Sequence, residues 1–214
     1  MSSFPRSPRL LKGAIVCLDS SIAVPKYIIF QYNPDTISRT VTAKYSKTSE
    51  GTESLRFGGA PTEDISVDLE FDATDYLEHP DVNPVAVKQG ITPQLAALES
   101  LLYPSSSQVI ANEKLAAAGK MEIVPPMGPL TLFVFGANKV LPVKITKCAI
   151  TEQAYDTNLN PIQAKVSLTM SVLTYSDLQH SKTGYSLYLA NHVGKEVLSQ
   201  FVVLNSDAGT GFIR

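Results

Sequence analysis

The run Ile162 to Thr174 alternates along its whole length, with Ile162, Ala164, Val166, Leu168, Met170 and Val172 on one side and Gln163, Lys165, Ser167, Thr169 and Ser171 on the other. A period of two belongs to a strand with one face in a core and the other turned outward. Ile65 to Asp72 repeats the pattern, with Ile65, Val67, Leu69 and Phe71 opposite Ser66, Asp68, Glu70 and Asp72. Two such half-buried strands need neighbours, because an isolated hairpin is marginal in water. Short runs rich in Ile, Val, Thr and Tyr supply them: Leu10 to Leu18, Tyr27 to Tyr32, Thr36 to Tyr45, Leu130 to Phe135 and Val140 to Ile150.

Turn chemistry separates these runs, and orders the last three, Leu130 to Phe135, Val140 to Ile150 and Ile162 to Thr174, into an antiparallel meander. Asn33-Pro34-Asp35 precedes the third run, Gly136 to Lys139 reads as a hairpin turn, and Asp156 to Pro161 joins the last two strands. Lys47 to Glu53 is polar and reads as an exposed loop, and Gly58-Gly59 as a bend or bulge. Residues 73–90 hold prolines and no period, so an irregular connection is expected there. Thr92-Pro93 then starts a short helix to about Tyr103, whose stripe is Ile91, Leu95, Leu98 and Leu102, and Pro104 ends it. A second irregular stretch follows to Pro125-Pro126, with a helical turn at Asn112 to Ala118.

Beyond Gly184 the period becomes helical, with Tyr185, Leu189, Val193, Val197 and Phe201 spaced by four. That stripe lacks a basic polar face opposite it, so it is expected to pack on the sheet or on a neighbouring protein rather than on a membrane. The fold class is therefore mainly β, an antiparallel barrel or sandwich with one inserted short helix and a C-terminal helix. The expected division is a flexible arm at 1–9, a β domain at 10–178 with a helical insertion at about 91–118, and a terminal helix with a loose tail at 179–214.

Charge excludes some partners. Lys and Arg number 18 against 20 Asp and Glu, a net charge of −2, so no basic excess exists to neutralise a run of phosphates and no nucleic-acid partner is expected. Charged residues make up only 18% of the chain, which suits a surface that contacts other protein. No stretch approaches the ~18 apolar residues of a membrane span, so no membrane partner is expected. Met1 to Arg9 is followed by no apolar run of the secretory type. The expectation is assembly in the cytoplasm and exit only as part of a larger particle.

The polar residues form no catalytic pattern. His79, His180 and His192 are scattered, without a second ligand at metal spacing. Asp72, Asp75, Asp81 and Asn83 lack the Gly and the distal Glu of a calcium loop. Cys17 and Cys148 lie in apolar strand-like runs with no nearby His, and read as buried reduced thiols. Asp68, Glu70 and Asp72 share a strand face but no apolar shelter that would shift them toward acid–base work. No catalytic, cofactor-binding or metal-binding residue is assigned, and no enzyme is expected.

Several segments in order carry a resemblance: Phe30-Gln-Tyr-Asn-Pro34, Leu55-Arg-Phe-Gly-Gly-Ala-Pro61, Glu70-Phe-Asp-Ala-Thr-Asp75, Leu132-Phe-Val-Phe-Gly136 and Ile150-Thr-Glu-Gln-Ala-Tyr-Asp156, continuing through Asn160 to Val166 and Leu173 to Leu178. Over roughly residues 10–178 the chain resembles the tube-domain family of contractile injection systems, phage tail-like particles that include the antifeeding prophage and the Photorhabdus virulence cassettes. The resemblance implies a tube initiator or adaptor, a hexameric ring of the inner tube at the baseplate. Its partners would be copies of itself, the trimeric spike hub protein, the inner tube protein and other baseplate components. Many relatives carry a peptidoglycan-binding LysM module after this domain, whereas the residues after Leu178 form one helical stripe and a Gly-containing tail. A second reading, a β-barrel that holds a small apolar ligand, requires an empty interior. The large inward side chains Phe71, Phe133, Leu168 and Met170 favour a filled one.

Overall fold

The computed structural model describes residues 11–18, 25–47, 53–119, 128–178, 180 and 183–206. The expected arm at 1–9, the link at Asp19-Ser-Ser, the segment leading to Pro125-Pro126 and the tail beyond 206 lie outside the described residues. Nine strands and five helices follow in chain order among those described: β1 (Ala14–Leu18), β2 (Lys26–Ile29), β3 (Ile37–Thr42), β4 (Tyr45–Lys47), β5 (Glu53–Phe57), β6 (Thr62–Asp72), α1 (Thr74–Leu77), α2 (Pro84–Gln89), α3 (Thr92–Glu99), α4 (Ser106–Ala117), β7 (Leu130–Val134), β8 (Val140–Tyr155), β9 (Pro161–Val172) and α5 (Thr183–Ser206).

Seven strands form one antiparallel sheet in the order β2-β1-β7-β8-β9-β6-β3, and β4 and β5 pair separately. The two strongly alternating segments are neighbours at its centre, with Val67 opposite Leu168 and Leu69 opposite Val166. Their apolar sets share a face, so register and burial agree, as the period-two argument requires. Along β6 every second residue from Glu63 to Phe71 is buried, and along β9 Ala164, Val166, Leu168, Met170 and Val172 are buried. β8 is the spine of the sheet: its first residues pair with β7 and the rest with β9, with a shift of register between Ile145 and Lys147. Thr146 is the extra residue there, and its hydroxyl donates to the Thr169 carbonyl.

The expected barrel takes the form of a single sheet with unpaired end strands, wrapped over one core. Inward residues from both ends of the strand order, Ile15 and Ile28 on one side and Ile65 and Val67 on the other, join one cluster with Phe30, Phe71, Phe133, Leu168 and Met170. Helix α3 enters that cluster through Ile91, Leu95 and Leu98, the stripe expected from its spacing, whereas Leu102 remains exposed beyond the helix end. The backbone fixes the approach of α3, since the Ile91 amide donates to the Pro161 carbonyl at 2.9 Å. Gly90, at φ +55°, passes so near that a Cβ would lie 2.1 Å from that same carbonyl oxygen.

The segment between β6 and β7 is more helical than its composition indicates. The stretch expected to be irregular at 73–90 holds α1 and α2, and the expected turn at Asn112 to Ala118 is the end of the twelve-residue α4. Ser105 starts α4 by accepting a hydrogen bond from the Gln108 amide, a cap that lies upstream of the expected turn. The pairing of β4 with β5 was likewise not expected, because these strands are only three and five residues long; residues 48–52 of the expected polar loop between them lie outside the described residues.

Candidate assembly interface

The outer face of the sheet separates into two halves. On β3, β6, β9 and β8 the outward residues stand in rows: Thr40, Asp64, Ser171 and Lys144, then Ser38, Ser66, Thr169 and Lys147. Two further rows on the inner three of these strands are Asp68, Ser167 and Ala149, then Glu70, Lys165 and Thr151. This half is hydroxyl-rich, with acids on β6 and lysines on β8 and β9. Lys165 pairs with Glu70 at 3.0 Å, and the Ser167 hydroxyl donates to Asp68 at 2.5 Å. The other half is apolar: on β2, β1 and β7 the residues of the outer phase are Tyr27 and Ile29, Val16 and Ala14, and Leu132 and Val134, of which Leu132 is covered and buried. Tyr27 and Ile29, on the last strand, are each about 60% exposed.

Both end strands keep one row of backbone groups unpaired within the sheet. Among the described residues β2 bonds only to β1 and β3 only to β6. Such edges must be blunted, covered or used. β3 reads Ile37-Ser-Arg-Thr-Val-Thr42, without proline or lysine, and is open to pairing. Lys26 on β2 is turned away to the Ser100 hydroxyl at 3.0 Å.

Two apolar features project beyond the sheet. Tyr45 and Phe57 stack on the β4–β5 hairpin with ring centroids 5.4 Å apart, and both are exposed. On α5 the expected stripe is split: Tyr185 is half-buried beside His180, whereas Leu189, Val193, Val197 and Phe201 are exposed and do not pack on the sheet. The packed line is Gly184, Tyr188, Asn191 and Lys195, spaced four, three and four. Close packing at its start selects this line, because a Cβ at Gly184 would lie 2.9 Å from a Leu178 methyl and 3.1 Å from a Leu130 methyl. Tyr188 is buried edge-to-face on Tyr175, and the Asn191 amide donates to the Asn138 carbonyl. Burial, with the Glu63 charge next, raises the pKa of the Tyr188 hydroxyl.

Glu63 is the buried acid that sequence reasoning missed. It is 2% exposed, in the inward phase of β6, and contacts Arg39 of β3 and Lys195 of α5. The signal was present, since the alternation of β6 extended two residues back from Ile65 lands on it.

Two of the segments that carry the family resemblance meet in space. The Gln31 side chain donates to the Asp72 carbonyl and accepts from the Asp72 amide, and the Tyr32 hydroxyl donates to Asp75. The loop after β2 is thereby tied to the far end of β6. Asn33 adds bonds to the Gly13 amide and the Leu11 carbonyl. Asp156 shapes the β8–β9 turn by accepting from the side-chain and backbone amides of Asn160 and then from the Asn158 amide, which holds its carboxyl below the usual range.

The remaining polar groups stay apart. His79 lies in the turn after α1, His180 packs on Tyr185, and His192 faces Glu196 at 3.5 Å. Asp72 caps Thr74, and the Asn83 side chain bonds the carbonyls of Tyr76 and His79, so both close local turns. Among the described residues no three His, Cys, Asp or Glu side chains converge as metal ligands, and no helix is long and apolar enough to cross a membrane. Cys17 is buried on β1 and Cys148 half-buried on β8, where burial and the Glu99 charge push its thiol up.

No family model and no curated protein matches the chain. Among solved structures it is similar to a chain from the virion of a native gene transfer agent particle, at 10% identity and a TM-score of 0.30 over 75% of this chain and 90% of the other. It is also similar to a chain from the tail of an empty gene transfer agent particle with C6 symmetry, at 13% identity and a TM-score of 0.31 over the same shares. At these scores the likeness is a loose one.

Proposed function

We propose that this chain is a structural, non-enzymatic subunit of a phage tail-like contractile injection system, which forms a ring of the inner tube at the baseplate and joins the spike hub to the tube. The observation that carries the reading is the sheet itself: two open edges at opposite ends of the strand order, and one half of the outer face built from Ser, Thr and paired charges. A strand edge from one copy can bond to the opposite edge of the next, a heterologous contact that closes into a ring when the rotation allows. The hydroxyl-rich half suits the wall of a water-filled lumen. Of the segments resembling the tube-domain family, all but Leu55 to Pro61, which falls on β5 and the bend after it, run through or border the same sheet.

A filled interior weighs against a ligand-binding barrel, since Phe71, Phe133, Leu168 and Met170 are all 2% exposed or less and belong to one cluster. An initiator that polymerised alone would start tubes in the wrong place, so the isolated chain should be monomeric and the ring should close on the hub. Native mass spectrometry of the chain alone and after co-purification with its trimeric hub tests this. A hexamer on the hub is expected. Filaments of the chain alone, or a hub complex without a ring, would overturn the initiator role.

A further inference from the structure

We propose that Glu63 forms a releasable clasp that holds α5 against the sheet, with Arg39 as its fixed side and Lys195 as the side that opens. The two contacts differ in kind. Oε1 of Glu63 accepts both Nε and Nη2 of Arg39, at 2.8 and 2.5 Å, so the guanidinium bonds through two of its nitrogens from the strand paired directly with β6. Oε2 accepts, among the described residues, only Lys195 Nζ, at 3.3 Å, from a side chain 46% exposed. A half-solvated ammonium at that distance is screened by salt and exchanges with water at little cost. The carboxylate stays compensated when Lys195 leaves, because Arg39 remains. It would not stay so if Arg39 left, which would strand a buried charge.

The position of Lys195 makes this contact decisive for the helix. Gly184, Tyr188 and Asn191 tie down the first two turns of α5, and Lys195 is one turn further on. Beyond it Leu198, Phe201 and Val202 are exposed. Opening the clasp frees the helix from Asn191 onward and leaves the core face of β6 and β9 unchanged. This holds for the isolated chain and does not depend on the ring reading.

Hydrogen exchange followed by mass spectrometry on the full chain tests it, with Lys195→Met, Lys195→Arg and the unsubstituted chain compared at low and high salt. In Lys195→Met the amides of 192–202 should exchange about two- to fivefold faster, the scale of one half-exposed ion pair, while β6 and β9 keep their protection. Lys195→Arg should restore protection. Salt should speed exchange of this segment in the unsubstituted chain far more than in Lys195→Met. Unchanged protection of 192–202 in Lys195→Met, or loss of protection in α5, β6 and β9 together, would overturn the clasp.

Discussion

Leu168 and Lys165 lie three positions apart on β9 and face opposite ways. Leu168 is 1% exposed between Val67 and Cys148, so Leu168→Ala should cost about 2–5 kcal/mol by leaving a cavity. Lys165 meets only Glu70 at the surface, and Lys165→Ala should cost at most about 1 kcal/mol. Chemical denaturation of the two variants checks the register, and equal losses would contradict it. Asp177 offers a residue-scale test against pH. Its carboxylate accepts from the Thr174 amide at 2.9 Å and the Thr174 hydroxyl at 2.7 Å, and these bonds lower its pKa despite partial burial. A depressed folded-state pKa stabilises above the ordinary carboxylate value and loses that contribution as pH falls through the lowered one. Asp177→Asn should therefore be less stable than the unsubstituted chain at neutral pH, and the gap should close only below about pH 4.

At the scale of elements, α3 depends on a backbone contact more than on its own helix propensity. Any side chain at Gly90 meets the Pro161 carbonyl and must also adopt a φ of +55°. Gly90→Ala should cost on the order of 1–3 kcal/mol or more and should expose Leu95 and Leu98, read as a lower thermal midpoint with increased dye binding. Gln31 plays the corresponding part for the loop after β2, where one side chain serves both backbone groups of Asp72. Gln31→Ala should cost about 1–3 kcal/mol in thermal denaturation, since it leaves a part-buried amide and carbonyl unsatisfied.

For the whole molecule, the proposed ring depends on the β3 edge remaining bare. Ser38 and Thr40 face outward beside it, and their replacement by lysine should leave the monomer's melting unchanged while blocking closure on the hub. Ring formation by the Ser38→Lys/Thr40→Lys double variant would show that β3 is not the joining edge. The hub-bound complex viewed by electron microscopy supplies the readout.

The central strands β6 and β9 and the buried side of each were legible in sequence because a period of two leaves only one face for the core, whereas their pairing with each other was decided by the tertiary structure. The stripe of α3 was legible for the same reason at a helical period. Periodicity does not say which neighbour an apolar stripe meets, and so Leu189, Val193, Val197 and Phe201 of α5 proved to be an exposed flank. The close approach of Gly184 to Leu130 and Leu178, contacts more than fifty and six residues away in chain, selected the adjacent line instead. Glu63 likewise lies in an apolar phase that sequence alone makes costly for a carboxylate. Only the tertiary structure brings Arg39 and Lys195 to it, because ion pairing acts through space over a few ångströms and leaves no period in the chain.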